Sequence, residues 1–72
     1  VTHEEWLARH YEFGFEAAVV GWPSVPSSAR KDVSEARQAG FDAGKAAALN
    51  IGQLAKDGAA AWVKTYAGKG AL

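Results

Sequence analysis

Between residues 36 and 48 a small side chain returns at every fourth position: Ala36, Gly40, Gly44 and Ala48. On an α-helix that spacing makes one nearly flat ridge. Glycine inside a helix costs about 1 kcal/mol relative to alanine, so two glycines on one stripe imply either a close backbone approach that offsets the cost or a local break. Residues 1–21 present a matching surface in Gly14, Ala17, Ala18 and Gly21, and the simplest arrangement crosses two helices there. The rival arrangement pairs the ridge with its own copy in a homodimer. The spacing alone does not choose, because it drives association most clearly inside membranes.

The flanking residues set the expected boundaries. Thr2 followed by Glu5 has the form of a capping box, which starts a first helix at His3. Its apolar and small residues fall on two adjoining rows, Trp6, His10, Phe13, Ala17 and Val20 beside Leu7, Tyr11, Gly14 and Ala18, with Phe15 next to them. That predicts a wide buried face ending at Gly21. Residues 22–28 hold both prolines and three serines, which favour turns and caps, and read as a shaped loop. Ser28 is then the expected N-cap of a second helix from Ala29 to about Leu49, or on to Lys56 if Asn50 and Gly52 do not break it. Asp57-Gly58 reads as a turn whose aspartate caps a shorter third helix from Ala59 to about Ala67, with Trp62, Val63 and Tyr66 on one side. Gly68 ends it, and Lys69 to Leu72 form a frayed tail. No stretch alternates β-branched and polar residues, so the expected fold is a single all-α domain: a small helical hairpin plus a short third helix.

Size and composition narrow the function classes. A chain of 72 residues without cysteine lacks the usual staples of small folds, which leaves self-association or partner binding as the remaining support and makes a homodimer a reasonable expectation. The longest apolar stretch, Ala17 to Val20, is far short of the roughly 20 residues of a membrane span. The N-terminal His3, Glu4 and Glu5 do not resemble a signal peptide, so a cytoplasmic, membrane-free protein is expected. Eight basic and eight acidic side chains cancel, which disfavours RNA or a ribosome as partner, since gathering phosphates requires clustered Lys and Arg. The charge is nonetheless uneven. Residues 1–21 hold four glutamates against Arg9, a net of −3, and residues 22–72 hold seven bases against four acids, a net of +3. These are either solvated faces that attract one another or an acidic face offered to a basic partner.

Catalytic and metal chemistry find little support. His3 and His10 stand two turns apart, too far to share an ion, and no metal or cofactor is expected. Ser24, Ser27, Ser28 and Ser34 are better explained by turns and caps than by nucleophilic catalysis, so the chain reads as a non-enzyme. What remains is eight aromatic residues in so short a chain. Trp22, beside Pro23, is the aromatic expected to be at least partly exposed, or else to fold back over the open end of the helix pair, and Trp62 and Tyr66 lie near the terminus. With Arg30, Lys31, Lys64 and Lys69 nearby they have the composition of binding hot spots. Glu12 and Glu16, like charges at i and i+4, either await a basic partner or are screened by solvent. The expected partner-binding residues are therefore Trp22, Arg30, Lys31, Glu12, Glu16, Trp62 and Tyr66. The expected packing residues are Gly14, Ala18, Ala36, Gly40, Gly44 and Ala48.

Two stretches, Gly14-Phe15-Glu16-Ala17-Ala18-Val19-Val20-Gly21 and Gly40-Phe41-Asp42-Ala43-Gly44 after a proline-containing connection, resemble the ribosome modulation factor family over about residues 10–45. The resemblance implies a helical hairpin that binds the bacterial ribosome and helps hold it inactive. The residues themselves favour a small non-enzymatic protein that regulates or inhibits a larger protein assembly, of a kind that phages and mobile elements also encode. A ribosome-associated hibernation-type factor is the alternative, and a self-assembling structural subunit a further one.

Overall fold

The computed structural model describes residues 2–47 and 52–68 and contains three α-helices of 17 residues each: α1 His3–Val19, α2 Lys31–Ala47 and α3 Gly52–Gly68. The protein is all-α. Ala48, Leu49 and Asn50 and the tail from Lys69 lie outside the described residues, and with them the last position of the small-residue ridge.

Thr2 caps α1: its Oγ1 accepts the Glu5 N–H at 3.1 Å, and Glu4 and Glu5 in the first turn oppose the positive end of the helix dipole. At the far end Gly21 adopts φ 94°. The Gly21 N–H donates to the Ala18 carbonyl at 3.2 Å and the Trp22 N–H to the Ala17 carbonyl at 3.0 Å, the paired bonds of a Schellman cap.

α2 starts at Lys31, two residues after the expected Ala29, and Ser28 is not its N-cap. The Ser28 hydroxyl instead accepts the Arg30 N–H at 3.2 Å, closing a local turn that delays the helix. Ser28 is further tied to Ser34, whose Oγ accepts the Ser28 N–H and donates to the Ser28 carbonyl, both at 2.8 Å.

α3 departs most from the sequence expectation. It is as long as the other two helices, it contains Lys56, and Asp57-Gly58 lie inside it, not in a turn before it. The Asp57 carboxylate accepts Gln53 Nε2 one turn back at 2.8 Å. Gly58 faces the Tyr11 ring, where an added Cβ would stand 2.8 Å from the phenol oxygen. Packing against Tyr11 overrides the local turn preference of the pair.

The first two helices are adjacent, but they run in the same direction. His3 meets Asp32, Leu7 packs with Val33 and Ala36, Gly14 faces Arg37 and Phe41, and Ala18 faces Gly44. The eleven residues between Val19 and Lys31 span up to about 36 Å when extended, ample to travel back along a helix about 25 Å long. α3 then runs antiparallel to α1, with Val63 near Leu7 and Ala55 near Phe15.

The crossing of α1 and α2 is backbone on backbone. A Cβ on Gly14 would collide with the Arg37 carbonyl oxygen, and one on Gly40 with the Tyr11 carbonyl oxygen; on Gly44 it would lie 2.5 Å from the Phe15 oxygen and 2.9 Å from the Ala18 Cβ. Around this contact the core divides in two: Leu7, Val33, Ala36 and Val63 at one end, Tyr11, Phe15, Ala55 and Ala59 at the other.

Substituting Gly40 by alanine should therefore destabilise the protein. Overpacking costs about 1–3 kcal/mol, against a propensity gain of at most about 1 kcal/mol. Gly52→Ala, where an added Cβ meets nothing within 4 Å among the described residues, should be neutral or mildly stabilising. Urea unfolding followed by circular dichroism separates the two, and equal stabilities would show that the helices do not meet at Gly40.

Candidate partner-binding surface

The Schellman cap decides where the chain goes after α1. It turns Trp22 back onto the outer face of the helix, where its ring meets Phe13 edge-on at 5.9 Å between centroids. Phe13, Glu16, Ala17, Val20 and Trp22 line an open groove of about 180 Å³. Three of these apolar side chains are well exposed: Phe13 at 39 %, Trp22 at 46 % and Val20 at 57 %. The wide buried face expected of α1 is thus narrower in the structure, because a row at i, i+4 drifts around the helix and leaves Phe13 and Val20 exposed, with only the Arg37 side chain of α2 lying against the Phe13 ring.

Arg37 braces this surface from beneath. Its backbone sits at the Gly14 crossing, and its side chain reaches across α1 to the loop. Nε donates to His10 Nδ1 at 3.3 Å, one terminal nitrogen donates to the Pro26 carbonyl at 3.1 Å, and the guanidinium lies 5.0 Å from the Phe13 ring centroid. One arginine thereby fixes the loop, the helix and an aromatic ring together. Burial, and then the Arg37 charge, hold the His10 imidazole below its ordinary value of 6.5, with Asp32 opposing.

A second polar cluster closes the other end of the α1–α2 pair. The Arg30 guanidinium lies over the Trp6 ring at 4.7 Å, and His10 meets that ring edge-on at 4.9 Å. The Asp32 carboxylate accepts hydrogen bonds from Arg30 at 2.9 and 3.2 Å, from His3 at 3.1 Å and from the Val33 N–H at 2.8 Å. Desolvation pushes the Asp32 carboxyl upward, but these donors outweigh it and hold it below the ordinary 3.8.

The residues singled out in the sequence are therefore spread over the molecule. Trp22 and Glu16 share the groove. Arg30 stacks on Trp6 instead of Trp22, and Lys31 is exposed at the start of α2. Glu12 is half-buried on α1. Trp62 and Tyr66 stack on each other at 4.7 Å and pack against the core, where the Trp62 ring meets Tyr11 at 6.0 Å between centroids. The Glu35 carboxylate beside Tyr66 raises its phenol above 10.0. Phe13, Val20 and Arg37 carry no binding signal in the sequence. Phe13 and Val20 read as core by their spacing, and nothing local signals the reach of Arg37. Among the described residues no group of three or more His, Cys, Asp or Glu side chains converges as a metal site would require, and no helix is long and apolar enough to cross a membrane. No family model, characterised protein or solved structure matches the chain.

The His10–Arg37 contact should make the brace pH-dependent. Because the folded protein holds His10 below 6.5, the unfolded chain takes up the proton first as pH falls. The stabilisation is then complete above about pH 6.5 and drains away through the folded value below it. Melting temperature should thus begin to fall as pH drops through about 6.5, above the range in which Asp32 titrates. His10→Gln should flatten that slope; an unchanged slope would assign it to another group.

Proposed function

We propose that the protein is a non-enzymatic binding module that regulates or inhibits a larger protein assembly by docking the Phe13–Val20–Trp22 surface. The observation that carries this reading is the arrangement of three exposed apolar side chains, one of them tryptophan, around a single groove whose walls are held by a helix cap and an arginine brace. Tryptophan anchors dominate interface energetics, and a surface ordered before binding avoids part of the entropy cost of association.

The groove also favours one kind of occupant. Glu16 lines it and Glu12 lies one turn earlier on α1; among the described residues neither joins an ion pair. An apolar side chain flanked by Lys or Arg, as on an amphipathic helix of a partner protein, matches both the shape and the charge. The ribosome-associated reading stands second. It is favoured by the meeting of its two glycine-containing stretches at one crossing, Gly14 against Phe41 and Gly40 against Phe15.

Affinity purification with mass spectrometry identifies the partner, and titration with variants then tests the surface. Trp22→Ala should weaken binding by about 2 kcal/mol or more while leaving the melting temperature nearly unchanged. Unchanged binding with a lowered melting temperature would make Trp22 a lid on α1 and remove the proposal. A protein partner should also tolerate salt, whereas an interface built on RNA phosphates would lose about a thousandfold or more in affinity between 50 and 200 mM.

A further inference from the structure

A second groove, of about 340 Å³, runs between α1 and α3, separate from the Trp22 surface. Ala8, Ala60 and Ala67 form its floor around the buried Val63, so no bulky side chain stands between its walls. Its rims carry opposite charge: Glu4 and Glu5 on α1, and Lys64 on α3. Lys56 stands two turns before Lys64 on the same side of α3. All four are exposed, and among the described residues none of them takes part in an ion pair.

This charge pattern is complementary to itself. α1 and α3 are antiparallel, and Glu4 and Glu5 lie level with Lys64 and Ala67. A two-fold axis along the helices lays α1 of one copy over α3 of another at the same height, so that each acidic rim meets a basic rim, twice per dimer. A two-fold axis across the helices would instead stack α1 on α1 and α3 on α3, and centred on this groove it would oppose like charges. Facing alanines allow helix axes to approach to about 8 Å, which closes the four helices into a bundle. A short chain without disulfides gains the apolar burial that its own core cannot supply.

We infer that a second copy of this chain covers the α1/α3 groove, forming a two-fold dimer in which Glu4 and Glu5 of each copy face Lys64 of the other. Sedimentation equilibrium of the full chain should give twice 7.6 kDa. Lys64→Glu should raise the dissociation constant by about tenfold, or about 1.4 kcal/mol, because reversal turns attraction into repulsion at two places. Combining Glu5→Lys with Lys64→Glu should recover most of that loss. Circular dichroism should show all variants helical, since both positions are exposed, and Trp22→Ala should leave the dimer intact. A monomer at concentrations up to about 1 mM, a dimer indifferent to Lys64→Glu, or a loss that the double variant does not repair would each overturn the inference.

Discussion

Where Gly14 lies on the Arg37 carbonyl and Gly40 on the Tyr11 carbonyl, two helix backbones touch without a side chain between them. Contacts of this kind place carbonyl oxygens against Cα–H groups and leave little freedom to slide. Their register brings the starts of α1 and α2 together, so His3 reaches Asp32 and Arg30 covers Trp6. The connecting loop is thereby obliged to travel back along α1. The same contact launches the Arg37 side chain toward His10, Phe13 and Pro26, so the brace beneath the exposed aromatic surface is an extension of the crossing.

α1 is the element that everything else uses. One side of it takes α2 through glycine, another takes α3 through Leu7, Tyr11 and Phe15, and its outer face is left to Glu5, Phe13, Glu16 and Val20. That outer face borders both grooves, with tryptophan and phenylalanine beside one and alanine beside the other. The difference in floor suits two different neighbours: an inserted side chain in the first case, and a flat helix in the second.

The legible parts of the sequence were those set by local chemistry or by a repeated spacing. Thr2 and Gly21 mark the ends of α1, the small residues at 36, 40 and 44 mark a close approach, and Pro23 marks Trp22 as lying outside a helix. What the residues did not reveal depends on where distant elements come to lie. The parallel course of α2 follows from register at the crossing, which a proline-containing loop of this length permits but does not dictate. The helical state of Asp57-Gly58 follows from the bulk of Tyr11 on another helix. Phe13 and Val20 have core spacing, yet two neighbouring helices cannot cover the whole apolar arc of α1. Arg37 looks like any surface base until the crossing aims it.

The three helices are not held equally. α3 leans mainly on α1 and touches α2 little, and the residues it buries, Ala55, Ala59 and Val63, are small. Trp62 and Tyr66 add partly buried aromatic area to this seam, but α3 has no backbone crossing of its own, so it is the helix expected to open first from the pair. Its amide hydrogens should accordingly exchange with solvent ahead of those around Gly14 and Gly40. Such an opening would bare Tyr11, Phe15 and Leu7 at once, so a neighbour docked on the α1/α3 groove would also hold that concealed face shut.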